Sequence, residues 1–202
     1  MEKKNRQLML ELRAEQPEDY ETVEKLTCEA FANAPHAGGS EALLAHKLRD
    51  IEAFVPELDI VAVLDGEVVG SIMYTKSRVV GNENEWETLT FGPLSVLPSC
   101  QKQGIGAALV RHTLKIARRM DFRAVLIFGH ESYYPRFGFA NAAEFGVTTA
   151  EGENFDAFMA LPLYDGALTG VHGRLIHDPI YTSLDESENE AFNRRLTGYP
   201  LD

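Results

Sequence analysis

The sequence predicts an α/β fold of the α+β kind, a mixed central sheet flanked by helices. Three observations lead there. Strand-like and helix-like hydrophobic periods alternate along the 202 residues. Asp65 and Gly66 separate two β-rich runs, the signal of a tight hairpin. "AVLIFG" is a short, wholly apolar strand of the type found inside a sheet covered on both faces, and it follows an amphipathic helix.

The elements follow in order. "LMLELRAE" alternates from Leu8 to Ala14 and meets Pro17, so a first strand gives way to a helix start, with Glu18 and Asp19 suited to the first turn. Val23, Leu26, Ala30 and Phe31 recur at helical spacing and predict a helix of about fifteen residues that ends near "NAPHAGG". Ser40 and Glu41 open a second helix bearing Leu43, Leu44, Leu48 and Ile51, which Pro56 has ended. The Asp65–Gly66 hairpin supplies the second and third strands, and Trp86 to Val96 the fourth. Ile105, Leu109, His112, Ile116 and Met120 mark a helix, and the apolar strand after it is central. Beyond it, "YYPRFGF" reads as a turn or broken helix, "EFGVTTA" and "AFMALPL" as strands, "VHGRLIHDPIYTSL" as an extended segment, and "DESENEAFNRRLTGYPLD" as a small surface helix or tail. Without an internal repeat or a long linker, one domain over residues 1–202 is the economical expectation, with a core of about 8–163 and a C-terminal extension of about 164–202.

Charge limits the partners. Nineteen basic against thirty-one acidic residues give a net charge of −12, which argues against a nucleic-acid partner. The apolar runs are far shorter than the roughly 20 residues of a membrane span, and the N-terminus does not read as a secretion signal, so no membrane partner and a cytoplasmic location are expected. Cys28 and Cys100 show no C-x-x-C spacing and read as free thiols. His172 and His177 are five residues apart, and no spacing among the six histidines suits a metal, so none is expected.

The stretch "SVLPSCQKQGIGAALV" carries the chemistry. A strand ending at Ser95 and Val96 and a helix beginning at Gly104 or Ile105 leave unpaired backbone N–H groups, between Gln101 and Gly106, at the positive end of the helix. Glycines at 104 and 106 let a phosphate approach those amides, and Lys102 adds a cation. The dinucleotide fingerprint fails at Leu109, and the G-x-x-x-x-G-K-[ST] loop is absent, so another phosphate carrier is needed.

These residues resemble the GNAT superfamily of N-acetyltransferases. Gln101, Lys102, Gln103, Gly104, Ile105 and Gly106 match its [QR]-x-x-G-x-[GA] signature, preceded by the family-like strand "FGPLSVLP". About thirty residues on, "SYYPRFGF" is similar to the family's Y-x-x-x-G-F segment, with Tyr134 four residues before Gly138. The resemblance implies that the turn holds the pyrophosphate of acetyl-CoA and that Leu94, Ser95 and Val96 form the strand end whose backbone pairs with the pantetheine arm. "GHESYY" departs from the family where many members carry an asparagine. The C-terminal "AFMALPLYDGALTGVHGRLIH" resembles that of a subgroup of predicted acetyltransferases with an extended C-terminal region.

Acyl transfer to an amine needs a polarised thioester carbonyl and a stabilised leaving thiolate. A backbone N–H near Val96 is the expected oxyanion donor, and Tyr134, a phenol protonated at neutral pH, the general acid. Tyr133 is assigned to packing or acceptor contact; Phe137, Phe139 and Phe145 are assigned to the core. Glu85, Glu87, His130 and Glu131 are candidates for the base, none singled out. His36 lies in the Gly-rich loop where the family builds much of its acceptor pocket, a solvated loop histidine being the simpler reading; Glu41, at the start of the second helix, either caps that helix or attracts a cationic amine, with capping the simpler role.

Three functional readings follow. The first is transfer from acetyl-CoA to a primary amine of a small molecule, peptide N-terminus or lysine, by direct attack in a ternary complex. The second is a non-catalytic acyl-CoA-binding module. The third is an interaction scaffold, with the C-terminal segment as a sheet edge for a homodimer or another partner.

Overall fold

The computed structural model describes residues 9–32 and 39–198. Leu8 and His36 lie outside the described residues.

Strand β1 is Leu10–Ala14. A 3-10 turn at Pro17–Asp19 leads into helix α1, Tyr20–Phe31. Asp19 does more than favour a helix start: its carboxylate accepts from the Arg13 guanidinium at 2.6 and 2.9 Å and from the Gln16 N–H at 2.9 Å. Helix α2 is Glu41–Leu48 and stops before Ile51. Ser40 sits at its N-cap without a side-chain capping bond.

Strands β2, Ile60–Leu64, and β3, Glu67–Val80, form the expected hairpin. Asp65 and Gly66 have φ of 51° and 94°, the positive values a two-residue hairpin turn demands. β4 is Glu85–Val96 and helix α3 is Ile105–Arg119. β5, Ala124–Phe128, is buried through Ile127, but Phe128 emerges at 47% exposure. The segment read as "EFGVTTA" differs from expectation. Residues Ala142–Phe145 form a 3-10 turn, which Gly146 ends at φ 72°, leaving a two-residue strand, Val147–Thr148. With the short strand Ala140–Asn141 as β6, that strand is β7; Phe158–Pro162 is β8 and Gly173–Ile176 is β9.

The strands form one sheet in the order β1-β2-β3-β4-β5-β8-β6, with β9 beside β3 and β7. It is antiparallel except for the pairs β4–β5 and β7–β9. The β4–β5 register is held at Leu89 and Val125, so the later half of β4 is left without a partner on that side among the described residues. The core under α3 joins Ile72, Tyr74, Leu89, Leu109 and Ile127. Burial of each such side chain contributes roughly 1.5–3 kcal/mol.

The C-terminal extension is built into this sheet. β9 pairs with β3 at residues 174–176 on one side and with β7 at residues 173–174 on the other. The last segment is helix α4, Glu186–Thr197, capped by the Asp185 carboxylate on the Glu188 N–H at 2.9 Å. It docks Phe192 against Cys28, Ala42 and Leu43 of α1 and α2.

Candidate active site

The opening of the sheet between β4 and β5 creates the site. β3 and β4 shift register between Ile72 and Tyr74, opposite the cis Gly92–Pro93 bond. Past that point β4 runs out towards the turn before α3. Side chains alternate along it, so Leu94 and Val96 face a cavity of about 680 Å³, whereas Ser95 faces away, fully buried, its hydroxyl accepting from Thr27 at 3.0 Å. Only the Ser95 backbone is available to a ligand.

The turn is held by its own side chains. Gln101 Nε2 donates to the Val96 carbonyl at 3.1 Å, and Gln103 Nε2 to the Ser99 carbonyl at 3.2 Å. Gln101, Lys102, Gly104, Ile105 and Gly106 line the cavity; Gln103 does not. Ile105 turns its side chain into the core, which leaves its backbone for recognition. Lys102 and Gly104 adopt φ of 61° and 87°, and a Cβ built on Gly104 would meet nothing within 4 Å. That side is open, as an approaching phosphate requires. Gly106 is constrained differently: a Cβ there would lie 3.1 Å from the Tyr133 hydroxyl.

Tyr133 lines both this cavity and a second, larger one of about 1190 Å³, which also contains Tyr134, Leu94, His130 and Glu131. Tyr134 begins a 3-10 turn, Tyr134–Phe137, and its N–H donates to the His130 carbonyl at 3.4 Å. Its ring packs against Phe91 and Phe139, with centroids 5.7 and 5.8 Å away. The hydroxyl makes no hydrogen bond among the described residues, so it is not spent on the backbone as a purely structural tyrosine's would be. Burial, and then the neighbouring Tyr133 phenol, push Tyr134 above the usual phenol range, which keeps it protonated.

Arg136 was not singled out in the sequence. It lies over the Tyr133 ring at 4.6 Å and adds a cation to the smaller cavity. The signal was its place inside the tyrosine segment. Glu85 and Glu87 stand at the other end of β4, paired with Arg78 and Lys76 at 3.6 and 3.9 Å. At about 3.3 Å per residue, Glu87 is roughly 23 Å from Leu94, outside reach of a reacting amine. His172 lies beside Trp86, and His177 beside Phe128 and Tyr181. Among the described residues no helix is long and apolar enough to cross a membrane.

The sequence model of the Acetyltransferase (GNAT) family matches residues 20–139, from the start of α1 past the tyrosine segment. The chain belongs to the GNAT acetyltransferase family. It is 31% identical over 163 residues to the Escherichia coli protein called uncharacterized N-acetyltransferase YhbS, a match covering 80% of this chain and 92% of that one. It is 34% identical over 103 residues to the E. coli uncharacterized N-acetyltransferase YjhQ, over 51% of this chain and 57% of that protein, so the chain spans little more than half of YjhQ. The crystal structure of E. coli YhbS in complex with CoA superposes with a TM-score of 0.78 at 26% identity, covering 91% of this GNAT chain and 98% of YhbS. A GNAT acetyltransferase from Brucella melitensis in complex with acetyl-CoA gives 0.68 at 27%, over 86% and 98%.

Proposed function

We propose that this GNAT protein transfers the acetyl group of acetyl-CoA to a primary amine, by direct attack in a ternary complex, with the whole chain acting as one domain. The observation that carries the proposal is the pair of adjoining cavities, the smaller bounded by the glycine turn and the larger by Tyr134, with Tyr133 and Leu94 shared between them.

The backbone amides from Gln101 to Gly106, at the positive end of α3, hold the pyrophosphate, with Lys102 and Arg136 as nearby cations. Leu94 and Val96, on the unpartnered side of β4, guide the pantetheine arm towards the larger cavity. A backbone N–H near Val96 stabilises the oxygen on which negative charge develops when the amine attacks the thioester carbon. Tyr134 gives its proton to the departing CoA sulfur; its raised pKa keeps that proton in place until the thiolate forms. His130 and Glu131, both lining the larger cavity, are placed to take the amine's proton through water.

The test is release of free CoA thiol from acetyl-CoA in the presence of a panel of primary amines. Amine-dependent release, lost in Tyr134→Phe, supports the proposal. Acetyl-CoA binding without turnover on any amine would replace it with a binding module.

A further inference from the structure

The larger cavity is lined by four carboxylates, Glu41, Glu131, Glu151 and Glu153, and by no lysine or arginine among the described residues. None of the four forms an ion pair within 4.0 Å among those residues. Arg174 comes closest to the 151–153 loop, 3.7 Å from a Cβ built on Gly152, but it does not line the cavity.

Glu41 differs from the other three, which are exposed. Its Oε2 is buried and has no hydrogen-bond partner among the described residues, and it lines the cavity together with Phe31 and Leu44. A carboxylate oxygen without a donor in such surroundings costs free energy that an ammonium group would recover. Burial raises the Glu41 carboxyl above the usual range, against the lowering effect of its own backbone N–H.

A second feature is the aromatic wall. Phe128 and Phe155, 47% and 45% exposed, stack with centroids 5.9 Å apart, and the His177 ring stands edge-on to Phe128 at 6.1 Å. Half-exposed aromatic rings in a carboxylate-lined cavity, Phe128 also stacked on Phe158 at 4.9 Å, suit an alkylammonium, whose methylenes pack on the rings while its charge meets the carboxylates. A cavity of about 1190 Å³, closed on one side by residues 175–182 of the C-terminal extension, is of small-molecule size.

We infer that the acceptor is an aliphatic diamine or polyamine, one amine presented to the thioester beside Tyr134 and a second, cationic group selected by Glu41. The inference rests on the proposed transferase reading. Rates with acetyl-CoA are compared for 1,5-diaminopentane and 5-amino-1-pentanol, which match in length but differ in the second charge. The expected kcat/KM ratio is ~10 or more in favour of the diamine, close to 1 in Glu41→Gln and restored in Glu41→Asp. A ratio near 1 in the unmodified protein, or a preference that survives Glu41→Gln, overturns the inference and leaves the transferase standing. Equilibrium binding of both amines to the CoA-loaded protein separates the two claims: preferential binding of the diamine without turnover of either refutes the transferase alone. Acetylation of a lysine-rich peptide in preference to both amines overturns the small-molecule class.

Discussion

The ring of Tyr134 occupies the space that a side chain at Gly129 would fill: a Cβ built on Gly129 would lie 2.6 Å from Tyr134 Cδ2 and 3.3 Å from its Cζ. The residue that follows β5 therefore fixes the proposed catalytic tyrosine by having no side chain there. Gly129→Ala must displace the ring, and misplacing a catalytic group by about an ångström costs up to ~100-fold. Turnover is expected to fall 10- to 100-fold (~1.4–2.7 kcal/mol in barrier) with acetyl-CoA affinity nearly unchanged, which steady-state kinetics and titration together would check.

Tyr134→Phe removes the proposed acid but keeps the ring against Phe91 and Phe139. Loss of a general acid predicts a kcat lower by ~10²–10³, with little change in acetyl-CoA affinity. Because burial raises the Tyr134 pKa, its protonated form persists above the usual phenol range, so the pH–rate profile of the unmodified enzyme should show no loss from this group below about pH 10. An unchanged kcat in the variant would remove Tyr134 as the acid.

Gly104 has φ of 87° with open space around its Cβ position. Gly104→Val would strain the backbone by about 1–2 kcal/mol and place methyl groups in the proposed path of the pyrophosphate. Acetyl-CoA affinity should fall ~10-fold or more, with a melting shift of only a few degrees. Unchanged affinity would move the pyrophosphate away from this turn.

The junction of β1, α1 and α2 depends on a buried charge network. Arg49 donates to both Glu15 oxygens at 2.8 Å and to Glu24 at 3.0 Å, and side-chain exposures of 6% or less leave all three out of water. Arg49→Ala strands the buried Glu15 carboxylate and leaves Glu24 with His46 Nδ1 at 2.8 Å, and should cost about 3–5 kcal/mol in chemical denaturation.

Beside this network, burial and then Glu15 raise the Asp59 pKa to about 9. A carboxyl with a raised folded pKa binds more protons when folded than unfolded, so stability falls as pH rises from about 4 towards about 9. Asp59→Asn should flatten that decline in melting temperature between pH 5 and 8; an unaltered slope would show that Asp59 is ionised in the fold.

Local signals made much of this legible. The Asp65–Gly66 turn, the helix from Ile105 and the apolar strand from Ala124 each carry a complete signature in a few neighbouring residues, and so does the glycine turn. The three-dimensional environment of the side chains was not legible. That Ser95 faces Thr27, and that Glu41 Oε2 is buried without a hydrogen-bond partner among the described residues, depend on how α1 and α2 lie over β4. The extension was ambiguous because β9 is only four residues long and takes its order from β3 and β7, partners remote or short in sequence. Likewise α4 exposes most of its length and is held by Phe192 and its neighbours against helices over 140 residues earlier.

Calorimetric titration of the protein with acetyl-CoA and CoA tests the central claim most directly. Saturable one-to-one binding of both, weakened in Gly104→Val, is the expected result. A folded protein that binds neither would contradict the assignment of the turn and its cavity to the acyl donor.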